Sequence, residues 1–296
     1  MIHIVVAGFS ATVQDVGREG HLREGVPRSG PADPVAFRAA CSLVGNTDRD
    51  AAIEIAGLPF AFRCDDARIV AVTGREVSVV ARDRLPAWTA VFVRAGDVVR
   101  VGGTPRTRYA YVAVSGGIAS EEILGSRSAY PRAGLGRTLR AGDAIALGTA
   151  RRGAEDAGGH VPFEYGGDIA AVAGPHHDRF DAAAQDAFFA SPFTVAPESD
   201  RQGVRLEGPA IAPRPGEILT CGVVSGAVQV PRGGQPIVLL ADHQTTGGYP
   251  IVATVIAADL GRVAQRAPGE TLRFYRVERD EALERGRALA RSLSSA

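Results

Sequence analysis

A chain of 296 residues, 45% of them hydrophobic, is long enough for two packed domains and apolar enough to bury a sizeable core, which excludes wholesale disorder. Its 33 basic residues balance 33 acidic ones, so no net basic charge marks it as a binder of nucleic acid or of an anionic membrane. No basic residue is a lysine, which excludes a Schiff base, a P-loop lysine and a biotinyl- or lipoyl-lysine on this chain.

In chain order, residues 1–6 read as a strand. They lack the basic n-region and cleavage site of a secretion signal, and no apolar stretch approaches the ~20 residues of a membrane span, so a cytoplasmic location is expected. Asp33-Pro34 ahead of an apolar body over 35–44 predicts a helix with an aspartate N-cap, stopped by Gly45-Asn46. β-branched runs follow at 69–73, 77–80, 90–93, 98–101 and 109–114, several alternating with a period of two. With 36 glycines and 18 prolines between such runs, the pattern favours a closed or sandwiched β architecture over parallel βαβ units.

A polar, glycine-bearing stretch at 149–159, after a strand signal at 143–147, marks the best domain boundary. Beyond it come a second helix at 181–189 and apolar runs at 237–241 and 251–256. Residues 280–293, rich in Ala, Leu, Arg and Glu, read as a terminal helix or a fraying tail. Turn-then-strand matches at 95–99, 141–145 and 267–272 hint at two related barrels.

Cys41, Cys64 and Cys221 show no disulfide framework or zinc spacing, and Cys41 reads as a small buried hydrophobe. His176-His177 sits in a turn and reads as a surface pair, so no metal site is expected. Ser115-Gly116-Gly117 continues into no phosphate-binding fingerprint, and ATP binding by this chain itself is not expected.

Two polar clusters stand out. In the first, Thr12-Val13-Gln14-Asp15-Val16-Gly17-Arg18 is followed by Gly25-Val26-Pro27-Arg28-Ser29-Gly30-Pro31-Ala32-Asp33, a conformationally fixed loop ahead of a helix N-terminus. Gln14, Asp15, Arg18, Ser29 and Asp33 are its candidate binding residues, although Asp33 reads equally as a plain helix cap. In the second, an apolar run ends at Asp242 and Gln244-Thr245-Thr246-Gly247-Gly248-Tyr249 precedes the next β-branched run. Consecutive glycines permit positive φ and close approach of a ligand to the backbone. Asp242 accepts from an N–H while Gln244 both donates and accepts, an inventory suited to a urea-like or lactam group. Gln229 is placed beside the same cavity; a polar β-hairpin is the competing account.

These segments, with Leu43-Val44-Gly45-Asn46, Leu124-Gly125-Ser126-Arg127-Ser128, Gln229-Val230-Pro231 and Gly234-Gln235-Pro236-Ile237, resemble the biotin-dependent carboxyltransferase subunit family over about residues 5–277. That family comprises allophanate hydrolase subunit 2-like proteins, the C subunits of 5-oxoprolinase, KipA-type proteins and the matching portion of urea carboxylase. The resemblance implies a mainly β chain of two cyclophilin-like β-barrel domains with a few short helices, over 1–150 and 160–278, ahead of a helical or frayed tail at 279–296. It implies a partner of the subunit 1 type or of the 5-oxoprolinase B type, with the A-type protein of that enzyme as a further candidate. It also implies a small amide or lactam substrate.

ATP would be used by the assembly, or carboxybiotin would arrive on a separate carrier; neither nucleic acid nor membrane is implied. The favoured function is the C subunit of ATP-dependent 5-oxoprolinase, which opens 5-oxo-L-proline to L-glutamate. A urea- or allophanate-pathway carboxyltransferase component and a non-catalytic regulator of the KipI-antagonist type are the alternatives. Gln229, Asp242, Gln244, Thr245, Thr246, Gly247, Gly248 and Tyr249 join the first cluster as substrate-binding candidates, and no catalytic residue is assigned.

Overall fold

The computed structural model describes residues 1–151, 159–216 and 218–294. The expected boundary at 149–159 therefore lies largely outside the described residues. The chain is mainly β and divides into two compact units. One comprises residues 1–19, 29–164 and 292–296; the other comprises 20–28 and 165–291.

In the first unit, β1 (Ile2–Val6), β4 (Phe60–Cys64), β6 (Ser78–Val80), β7 (Arg84–Leu85), β9 (Val98–Gly102) and β11 (Ala144–Ile145) form one sheet, ordered β11-β1-β4-β9-β6-β7. The other sheet is ordered β2-β3-β10-β5-β8, from β2 (Ser10–Gln14), β3 (Ala52–Ala56), β5 (Arg68–Gly74), β8 (Val91–Val93) and β10 (Tyr109–Val114). All the pairings are antiparallel. Ile4, Phe60, Phe62 and Val99 of the first sheet share a buried core with Val13, Ile53, Val72 and Val112 of the second. Every residue of β5 and β10 is buried, because helix α1 (Pro34–Leu43) contacts both strands. That double cover explains their near-continuous apolar sequence, where one-sided burial would leave alternation. Asp33 caps α1 as expected, with Pro34 in the first turn.

In the second unit, eight strands run in the order β20-β13-β14-β17-β16-β19-β12-β21. These are β12 (Ile169–Ala173), β13 (Phe193–Val195), β14 (Gly203–Glu207), β16 (Ala227–Gln229), β17 (Ile237–Leu239), β19 (Ile251–Val255), β20 (Thr271–Leu272) and β21 (Phe274–Arg276). The two edge strands are consecutive in the chain, parted only by Arg273, so the sheet curls almost closed and leaves little free edge. A separate two-stranded ribbon pairs β15 (Cys221–Gly222) with β18 (Thr246–Gly247). Helix α2 (Ala182–Ala190) buries Phe188, stacked on Phe274 at 4.6 Å and 5.9 Å from Phe193. After the short α3 (Leu260–Ala264), the C-terminal segment is a docked helix, α4 (Arg279–Ser294), with Ala282 against the buried Ala170, Ile256 and Val277.

No helix among the described residues is long and apolar enough to cross a membrane. Among them, too, no group of three or more His, Cys, Asp or Glu side chains is arranged to hold a metal ion.

Candidate functional site

In the first unit the chain turns sharply after β2, and Asp15 organises the turn. Asp15 Oδ1 accepts from Gly17 N at 2.9 Å, Ser126 Oγ at 2.5 Å and Ser128 Oγ at 2.7 Å, while Oδ2 accepts from Arg127 N at 2.6 Å. Burial works against its charge, but these four donors hold its carboxyl below the usual range. Arg18 is buried alongside; it donates to Ser29 Oγ at 3.3 Å and to the Ser128 carbonyl. Gln14, fully buried, donates from Nε2 to Thr12 Oγ1 and Ala129 O, each at 3.0 Å, and its Oε1 has no hydrogen-bond partner among the described residues.

Ser29 adopts φ 57° and Gly30 φ 89°. A side chain at Gly30 would meet the carbonyl oxygens of Val16 at 3.1 Å and Asp15 at 3.3 Å, so glycine lets the two motifs pack backbone to backbone. Asp33 is buried, and its Oδ1 accepts from Val35 N and Ala36 N at 3.1 Å as the helix cap. Its own N–H donates to Tyr111 Oη at 2.8 Å; Tyr111 donates in turn to Glu54 Oε2 at 2.7 Å, which also accepts from Ala32 N at 2.8 Å. Burial, followed by the nearby Glu54, pushes the Tyr111 hydroxyl well above its ordinary pKa, so it remains a donor.

Gln14, Asp15, Arg18 and Ser29 are thus brought into one cross-braced frame against residues 126–129, whereas Asp33 caps α1 and joins the Tyr111–Glu54 pair. Ser126, Arg127 and Ser128 complete this frame. In the sequence these three carry the family likeness without standing out as site residues. A chain separation of 111 to 113 residues conceals their link to Asp15.

In the second unit the loop after β17 carries the other cluster. Asp242 is buried and takes a two-point contact from Arg201, Nε to Oδ2 at 2.7 Å and Nη2 to Oδ1 at 3.1 Å. The expected free acceptor is therefore an anchor, and Arg201 is the partner that sequence reasoning missed. His243 Nδ1 lies 2.6 Å from the carbonyl oxygen of Gln244; since a carbonyl only accepts, Nδ1 carries the proton. Burial depresses its pKa and favours the neutral ring.

Gln244 is exposed, and its Nε2 donates to Oε1 of the buried Gln229 at 3.0 Å. That bond uses one of the two Nε2 hydrogens, so the carbonyl and the second N–H of the Gln244 amide are left to meet a ligand. Gln229 Nε2 has no hydrogen-bond partner among the described residues and lies beneath Gly247, where an added Cβ would sit 2.3 Å from it. Thr245 accepts from Val223 N at 3.1 Å, and Thr246-Gly247 pair with the β15 ribbon. Gly248 and the half-exposed Tyr249 line a groove of about 890 Å³ with Arg214, Arg232 and four prolines. The amide pair and the glycine backbone beside it carry carbonyl and N–H groups of the kind an amide can meet.

Residues 24–276 match the family model described as "Carboxyltransferase domain, subdomain A and B". The chain is 36% identical to the 5-oxoprolinase C subunit of Escherichia coli K12, over 96% of this chain and 94% of that protein. It is 35% identical to the protein of that name from Haemophilus influenzae, over 95% and 93%. Among solved structures, the K. lactis urea amidolyase superposes with a TM-score of 0.88 at 28% identity, covering 99% of this chain but 20% of that one.

Proposed function

The chain belongs to the carboxyltransferase domain family, subdomains A and B, and from that premise we propose that it is the C-type subunit of a cytoplasmic 5-oxoprolinase. The observation that carries this reading is the end-to-end match to two 5-oxoprolinase C subunits, each spanned almost completely, whereas the urea enzyme contains a corresponding region as one fifth of a longer chain.

In this reading the chain works with partners of the B and A types, and the assembly uses ATP to open a lactam. The Gln244 carbonyl accepts the lactam N–H, and Gln229 fixes the orientation of that amide from below. The Arg201–Asp242 pair holds the start of the loop, so the recognition groups ride on a rigid base. A urea-directed carboxyl transfer is the second reading, favoured by the family description and the urea amidolyase likeness. Lacking lysine, the chain would then meet biotin only on a separate carrier.

The test is reconstitution with the partner proteins and an assay of ATP-dependent glutamate release from 5-oxoproline. Turnover of 5-oxoproline, reduced by Gln244→Leu, is expected. Turnover of urea only, and only with a biotinyl carrier present, would overturn the proposal in favour of the second reading.

A further inference from the structure

The two-stranded ribbon of the second unit extends beyond its paired residues. At one end Val223 N donates to Thr245 O at 3.1 Å, and at the other a Cβ on Gly248 would sit 3.7 Å from Thr220 Oγ1, so residues 220–223 and 245–248 lie side by side. Its two faces differ. Cys221, Val223, Thr245 and Gly247 are buried or half-buried, with Val223 in an apolar cluster with Ala227, Leu239 and Ile251. Thr220, Gly222, Val224, Gln244, Thr246 and Gly248 alternate with them and are exposed. At the ribbon's ends Leu219 (91% exposed), Val224 (59%) and Tyr249 (48%) hold large apolar side chains in solvent. None of residues 219–224 and 244–249 is charged, in a chain where 22% of residues are. An uncharged, apolar face that includes an aromatic has the composition of an interface core, not of free surface. Neither strand pairs with a third among the described residues, which leaves both edges open to a further strand.

Gln244, the residue given to the lactam in the reading above, lies on this exposed face. In that reading ATP drives the ring opening, which needs phosphate-binding groups beside the amide and a site closed to water. The chain has no lysine and no P-loop signature, and Gln244 stands open to solvent. The phosphate-handling groups and the cover have a single source if one partner sits on the ribbon. We propose that this ribbon is the docking surface for the nucleotide-using subunit of the assembly, which meets Leu219, Val224 and Tyr249 with an apolar face of its own and closes the site over Gln244. This role rests on the lactam reading and adds where the other half of the site comes from.

Calorimetric titration with ATP identifies the nucleotide-using protein among the B- and A-type partners. That protein is then titrated into the full-length chain and its variants, and amide hydrogen exchange is followed in the complex. The expected result is a complex in which the amides of 219–224 and 244–249 gain protection. Leu219→Ser and Val224→Ser should each weaken it about tenfold or more, the effect of losing one buried aliphatic side chain. Both side chains are exposed in the free chain, so its melting temperature should stay in place. Phe9→Ser, which removes an equally exposed apolar side chain of the first unit, should leave the affinity unchanged. ATP binding by neither partner, no complex with the one that binds it, protection that bypasses the ribbon, or weakening by Phe9→Ser alone overturns the docking surface. Self-association of the chain by itself, abolished by Leu219→Ser, gives the ribbon to a second copy and also overturns it. The lactam reading fails separately: a wild-type assembly that turns over urea and not 5-oxoproline, while the ribbon variants still lose the partner, refutes the substrate and leaves the docking surface standing.

Discussion

Asp15→Asn is the sharpest probe of the first unit's frame, because asparagine keeps the shape and changes only charge and one acceptor. In the native protein Oδ1 receives three donors and Oδ2 receives Arg127 N. An asparagine must turn its single oxygen to the three donors or to the one. With the oxygen toward Ser126, Ser128 and Gly17, the new N–H₂ faces the Arg127 N–H, donor against donor. Losing one charge-assisted bond costs about 1.5–3 kcal/mol, and three bonds that lose their ionic character weaken further, so a destabilisation of about 2–4 kcal/mol is expected.

Calorimetric unfolding of the full chain at neutral pH measures it. The acid side gives an independent check. The folded-state pKa of Asp15 lies below the unfolded value of about 3.9, so its stabilisation is complete at neutral pH. It is lost as pH falls below that value toward the folded-state pKa. Asn has no such loss, so the melting temperatures of wild type and variant should converge in acid. A difference at neutral pH below about 0.5 kcal/mol, the ordinary scatter of an inconsequential substitution, or one constant down to about pH 2, would refute the argument that these four contacts hold a charged carboxylate.

Two further substitutions test separate links. Gly247→Ala puts a methyl 2.3 Å from Gln229 Nε2 and must displace that buried amide, breaking its bond to Gln244. Steady-state assay of the reconstituted assembly should show a raised KM for 5-oxoproline, with at most about 1–3 kcal/mol lost from stability by overpacking. Phe188→Ala removes one ring of the cluster it forms with Phe193 and Phe274, with an expected loss of about 3–5 kcal/mol in the second unit, followed by denaturant unfolding; the less buried Phe189→Ala should lose less.

Local signals in the sequence announced local structure. Asp33-Pro34 and Gly45 bounded α1 because capping and chain reversal depend on adjacent residues. The β-branched runs at 69–73 and 109–114 became β5 and β10, whereas their burial on both faces comes from the packing of α1 and was not read from the alternation. The ribbon of β15 and β18 left no such mark, since two-residue strands carry no readable period. Residues 20–28 grouping with the second unit left none either: the short loop lacks a hydrophobic period and is placed by tertiary packing.

The candidate site separates what composition encodes from what topology decides. Composition supplied the donors and acceptors in both clusters, and their concentration at loops was the sound part of the inference. It ranked Asp242 and Gln244 alike, as groups free to meet an amide. Folding parts them. The side chain of Asp242 turns inward and Arg201, 41 residues earlier, occupies both its oxygens, whereas Gln244 turns outward and is held by one end only. A buried carboxylate has to be paired to remain charged, so it becomes an anchor, while an exposed neutral amide keeps a face for ligand without that penalty. The recognition role therefore falls to the amide, and the carboxylate two residues earlier serves to aim it.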